Sequence, residues 1–147
     1  MKIKRILLLG LLTCGDDSPS TDTASVNYEC AHSAPHGLYF VSFDTLESDC
    51  GPLSSAATEV VDGVVQLHES AGCKLVNKSN SPRTCETDTI FECDDGTWEM
   101  RLEWSIKPDP LSADRFVGML FTDMVRFTGW TCAGTYGITG EIINESR

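Results

Sequence analysis

The run Thr97-Trp98-Glu99-Met100-Arg101-Leu102-Glu103-Trp104-Ser105-Ile106 decides the fold. Trp98, Met100, Leu102, Trp104 and Ile106 alternate with Glu99, Arg101, Glu103 and Ser105. Successive side chains leave a pleated strand on opposite faces, so an apolar period of two describes a half-buried strand. A helix would scatter the two tryptophans around its axis. An antiparallel sheet with one wet face is the natural home for such a strand.

Working outward, residues 84–93 form the other arm of a hairpin. The turn is Asp94-Asp95-Gly96, where Asp-Gly supplies the positive φ that tight turns demand. Residues 107–112 carry two prolines, which cannot donate to a ladder, and are expected to interrupt the sheet. Residues 115–128 fit a strand bulged near Asp123; a helical stripe through Phe116, Leu120 and Met124 is the alternative. Residues 130–142 restore period two, with Gly134, Gly137 and Gly140 pointing to close packing or curvature. Upstream, 37–44 reads as a first strand and 46–55 as a loop. Residues 59–67 read as two short strands or one bent at Gly63, rich in valine. Residues 77–82, NKSNSP, read as a loop. The expected fold is all-β: a small antiparallel barrel or sandwich of six to eight strands, tied by disulfides, with a lipocalin-like barrel as one version.

The chain has 147 residues and a formal net charge of -11. Lys2, Lys4 and Arg5 hold three of its 11 basic residues, so without them 8 bases face 22 acids, a charge of -14. That surface repels phosphate backbones and argues against nucleic-acid binding. The three basic residues precede a short apolar run, Ile6 to Leu12, in the order of a secretory signal. This run falls well short of the roughly 20 residues of a membrane-spanning helix.

Leu11-Leu12-Thr13-Cys14 resembles the lipobox of bacterial lipoproteins. The resemblance covers the first fourteen residues or so. It implies a signal peptide over 1–13, a lipid-modified Cys14 as mature N-terminus, and a bacterial cell envelope, with the outer membrane the expected site. Residues 15–26, rich in Asp, Ser, Thr and Pro, then read as a disordered tether, giving a lipidated tether over 14–27 and a β domain over 28–147.

Seven cysteines are an odd number, which an exported chain must explain. Giving Cys14 to lipid leaves Cys30, Cys50, Cys73, Cys85, Cys93 and Cys132, an even set that fits three disulfides in an oxidising compartment. Cys30 and Cys50 bracket the first strand and are expected to pair; Cys132 is expected to join Cys93 or Cys85.

Chemical motifs are sparse. His32 and His36 lie four apart, but Pro35 argues against a helix that would bring them together, and a metal site needs further ligands, for which only the distant His68 and Glu69 offer themselves. Asp44, Glu47 and Asp49 could meet calcium through one loop, without an EF-hand pattern. There is no Gly-x-Ser-x-Gly elbow and no Cys-x-x-Cys, and Asp94 and Asp95 are explained by their turn. We therefore expect no catalytic residues, no metal and no cofactor. The aromatic set Trp98, Trp104, Trp130 and Tyr136, with Phe116 and Phe121, offers a ligand-binding expectation if a barrel encloses a cavity; the competing expectation is that these rings fill the core. The resulting expectation is a non-enzymatic, membrane-anchored envelope lipoprotein with a binding or structural role. A lipocalin-like carrier of a small apolar ligand is the alternative and a hydrolase the more remote one. Its partners would be the membrane, through the lipid, and a small apolar ligand or an envelope protein.

Overall fold

The computed structural model describes residues 30, 32–67 and 72–144. The leader, Cys14 and the tether lie outside the described residues, as do His68 and Glu69. Eight strands follow in order: β1 (Gly37–Ser48), β2 (Ala56–Val61), β3 (Val64–Val65), β4 (Cys73–Ser81), β5 (Glu86–Asp94), β6 (Trp98–Asp109), β7 (Ser112–Arg126) and β8 (Thr131–Ile142). The described residues contain no helix.

All eight strands belong to one antiparallel sheet in the order β3-β2-β1-β8-β7-β6-β5-β4. This is the meander of an eight-stranded up-and-down barrel, curled with β1 paired to β8 and with no ladder between β3 and β4. The barrel is thus open along one seam. β3 is only two residues long, so it offers β4 almost no edge to pair with.

Each wall places one parity inward. Tyr39 and Val41 of β1, Phe91 of β5, Leu102, Trp104 and Ile106 of β6, Phe116 and Leu120 of β7, and Tyr136 and Ile138 of β8 are buried together. The Trp98–Ile106 pattern therefore means what its period says: the even positions face the core and the odd ones the solvent. The rings approach the backbone closely. Tyr39 meets Phe116 edge-on, with centroids 4.9 Å apart, and the Phe116 ring lies over Gly140, where a Cβ would run into it. The hairpin between β5 and β6 has the expected turn, with Gly96 at positive φ. Between β2 and β3, Asp62 and Gly63 both take positive φ, the requirement of a type I′ turn. Residues 115–126 are strand, within β7, and 127 and 128 belong to the turn that follows; the ladders pass Asp123 in unbroken register, so the bulge expected there is absent.

Several expectations are corrected. Cys30 does not pair with Cys50, because β1 is a strand of 12 residues, bulged once at Leu46, which at about 3.3 Å per residue holds its two ends roughly 35–40 Å apart. The bridges are Cys30–Cys85, Cys50–Cys132 and Cys73–Cys93. Cys132 therefore joins neither Cys93 nor Cys85. It starts β8 beside the end of β1, where Asp49 N–H donates to the Ala133 carbonyl at 3.1 Å. Pro108 does not break the sheet: it lies near the end of β6, opposite Phe116 of β7, while the β5 ladder stops at the Thr87–Ile106 pair. No donor is needed on that free side. Most of NKSNSP is not loop either. Asn77 to Ser81 complete β4, an edge strand paired only with β5 and largely exposed on both faces. Polar side chains are tolerated there because neither face is sealed against the core.

Candidate functional site

The four aromatic residues expected to bind a ligand are not gathered in one place. Tyr136 is fully buried and Trp104 is 6 % exposed, both in the core; Trp98 packs against the core's margin. Trp130 sits past the end of β7, 45 % exposed, under the Arg126 guanidinium at 5.0 Å from its ring centroid. Phe116 is core, whereas Phe121 faces outward.

Tyr136 has a second duty. Its hydroxyl donates to the Gly51 carbonyl at 2.8 Å and lies 2.6 Å from Ser48 Oγ. This fastens the loop after β1 across one end of the barrel, next to Cys50–Cys132. Gly134 makes room for the arrangement, since a Cβ there would meet both the Tyr136 ring and Ser48 Oγ.

The metal candidates come apart. His36 Nδ1 is 3.1 Å from Asp62 Oδ1 in an exposed pair. The carboxylates of Asp44, Glu47 and Asp49 are not collected: Asp49 instead accepts from Ala133 N–H at 2.6 Å. Among the described residues, the one group of three donors within 4.8 Å is Asp49, Cys50 and Cys132, and both sulfurs are committed to a disulfide.

Two of the clefts bring charged side chains of both signs together. One, about 840 Å³, lies outside the β4–β7 wall. It follows the cross-strand row Lys74, Glu92, Arg101, Asp123. Arg101 is already held by Glu103 at 2.8 Å and Glu92 at 3.6 Å, and the Glu103 hydrogen bond holds its guanidinium above the ordinary arginine value. Such an exposed ladder of alternating charge is explained by the surface it decorates.

The other cleft, about 490 Å³, lies at the seam. Its walls come from Cys30, His32, Ser33 and Ala34, from Asp62 in the β2–β3 turn, from Lys78 and Asn80 on β4, from Thr87 on β5, and from Pro82, Cys85 and Pro108. The Cys30–Cys85 disulfide straps the segment before β1 to the β4–β5 turn and forms part of the floor. Lys78 lies directly across from Thr89, and Thr89 directly across from Trp104. Thr89 is 1 % exposed, and neither its Oγ1 nor the Trp104 Nε1 has a hydrogen-bond partner; Thr122 Oγ1, on the inner face of β7, is the third such atom.

Sequence reasoning missed this cleft. The bulge at Val76, between the Leu75–Phe91 and Asn77–Ile90 pairs, shifts the parity of β4 and turns Lys78 and Asn80 inward, so a plain alternation count from Cys73 points them the wrong way. A polar run next to a proline then looks like loop.

Comparison with protein families, with characterised proteins and with solved structures finds no match. The functional reading rests on the geometry.

Proposed function

We propose that this chain is a non-enzymatic lipoprotein of the bacterial cell envelope, anchored through Cys14, that holds a disulfide-tied β domain on a tether. The observation that carries it is the cysteine account. Of seven cysteines, six pair with one another, so Cys14 has no cysteine of its own chain left to join. It stands directly after the basic and apolar leader, where lipid attachment uses it.

The placement of the domain's ends supports the same reading. Cys30, where the tether meets the domain, is fixed to Cys85 at the start of β5. The turn after β7 lies at the far end of that strand, because Trp98 pairs with Arg126 and Asp94 with Glu99. Nine residues of β5 separate the two ends, roughly 30 Å. Phe127 and Trp130, 65 % and 45 % exposed, therefore sit on the side away from the anchor. Exposed aromatic side chains grouped at one end are what a partner-binding surface presents.

A hydrolase would need a serine beside a histidine–carboxylate pair. His36 has Asp62, but among the described residues its ring makes no hydrogen bond to a serine.

Intact mass of the membrane-fractionated protein tests the proposal. The expected species is cleaved before Cys14, carries acyl chains, and gains about six hydrogens when its three disulfides are reduced. An unlipidated chain that retains its leader overturns it.

A further inference from the structure

We propose that the outer face of β7 and the hairpin tip after it form a docking ridge for a protein partner whose contact surface is basic. The proposal rests on that end being a partner-binding surface, and it names the partner's chemistry.

The ridge follows from the parity of β7. Phe116, Leu120 and Thr122 face the core, so Phe121, Asp123 and Val125 face solvent. Phe121 is 44 % exposed and Val125 45 %, and Phe127 and Trp130 carry the apolar surface on through the turn. Single exposed apolar residues are ordinary on a protein, whereas a contiguous run of them rimmed by polar groups marks a contact site. On the β8 side the ridge falls to Thr131, Ala133 and Thr135, which are small and uncharged. The ridge therefore stands clear where a second surface can reach it.

The tip is held ready. Arg126 N–H donates to the Trp130 carbonyl and Gly129 N–H to the Arg126 carbonyl, each at 2.8 Å. Phe127 N–H donates to the Thr97 carbonyl at 3.3 Å, which fixes the tip to the neighbouring turn. Aromatic side chains on a fixed turn lose little freedom on contact, and this favours binding.

Charge decides what can dock. Glu99 lies directly across from Val125, with Asp94 beyond it, and Asp123 sits between Phe121 and Val125. Across the β8 floor, Glu47 pairs with Thr135 and Asp49 accepts from Ala133 N–H. Acids thus flank the ridge on both sides. Of the nearby bases, Arg101 is committed to Glu103 and Glu92, and Arg126 to the Trp130 ring. Lys74 stands three strands away on β4. Among the described residues no cation pairs with Glu99 or Asp123. A second copy of this chain would set the same acids against each other, and an anionic lipid surface would be repelled. A protein surface with lysine or arginine around an apolar patch complements both the ridge and its rim.

The test uses the purified full chain, disulfides intact, with synthetic peptides as probes. The first alternates lysine with leucine and phenylalanine. In the others glutamate or glutamine replaces the lysines, or alanine replaces the apolar residues. Affinity is read by titration at low and high salt, and the site by amide, methyl and indole NMR shifts. The lysine peptide with apolar residues is expected to shift Phe121, Val125, Phe127 and the Trp130 indole, and to bind more weakly as salt rises. Phe127→Ser should weaken it by about tenfold, and Glu99→Gln with Asp123→Asn severalfold. Both variants should keep the parent melting temperature, and Leu111→Ser, at the opposite end of β7, should change neither property. Equal binding of the glutamine or glutamate peptide at the ridge overturns the basic partner and leaves the partner-binding surface standing. Equal binding of the alanine peptide overturns the proposal, and no shift at the ridge with any peptide overturns it together with that surface. Phe127-dependent dimers in sedimentation, or ridge shifts with vesicles of phosphatidylcholine and phosphatidylglycerol, overturn it in favour of a second copy or a membrane. None of these results touches Cys14, whose lipidation is read separately by mass.

Discussion

At the scale of the residue, this domain depends on a few side chains that close the barrel where the sheet alone does not. Tyr136 is buried among core rings, yet its hydroxyl reaches the Gly51 carbonyl at 2.8 Å and Ser48 Oγ at 2.6 Å. Tyr136→Phe keeps the ring and removes both contacts, while Ser48 Oγ still reaches the Gly51 carbonyl at 3.4 Å and accepts from Cys50 N–H at 3.0 Å, so chemical denaturation should show a loss of about 0.5–1.5 kcal/mol. Gly140 makes the opposite point, because its value lies in what it lacks. A Cβ there would run into the Phe116 ring, so Gly140→Ala should destabilise by about 1–3 kcal/mol through overpacking, with Tyr39 displaced from its edge-on contact with Phe116. Had the substitution no effect on the melting temperature, that contact would be looser than 4.9 Å between centroids implies. The glycine pattern of β8 announced close packing; which ring comes close could not be read from it, because Phe116 belongs to a strand whose register only the folded sheet defines.

At the scale of the element, strand existence was legible where both arms of a hairpin alternate and the turn is specified, as in β5 and β6. The turn carries its own prediction. Burial raises the Asp95 carboxyl, but hydrogen bonds from the Thr97 hydroxyl and backbone and from Trp98 more than offset this and hold it below the ordinary carboxylate value. A depressed folded-state value stabilises above the ordinary value and is lost as pH falls through the folded one. Acidification below about pH 4 should therefore loosen this turn, seen as faster amide exchange at Thr97 and Trp98, and Asp95→Asn should remove that pH dependence. β4 shows where alternation fails. Its period is broken by one bulged residue and its faces are both wet, so neither the apolar period nor burial marks it. Pro108 misleads for a related reason: a proline forbids a donor, and whether a donor is needed depends on the neighbouring strand's length.

At the scale of the whole molecule, the cysteines forecast three bridges but not their partners, because pairing follows the sheet order and not sequence spacing. Each disulfide fastens a different part: Cys30–Cys85 straps the seam, Cys50–Cys132 ties β1 to β8, and Cys73–Cys93 joins the edge strand to its neighbour. Their sequence separations of 55, 82 and 20 residues rank their effect on the unfolded chain. Replacing Cys50 and Cys132 together by alanine should cost about 4–5 kcal/mol and replacing Cys73 and Cys93 about 3 kcal/mol by loop entropy. Denaturant titration of the two double variants checks the order, and a reversed order would show that native-state packing at Cys93 outweighs chain entropy.

The pairing of β1 with β8 also governs how the chain can be made. The first strand finds its second neighbour only when the last strand has been synthesised, so one edge of the growing sheet stays without a partner until the end. That single distant contact, Tyr39 opposite Ile142, raises the contact order of an otherwise local meander and sets the pace of folding. A circular permutant that joins the two ends beside β1 and β8 and opens the chain between β3 and β4 would turn every pairing into one between successive strands. Stopped-flow refolding should find it faster than the natural order, with the same final sheet.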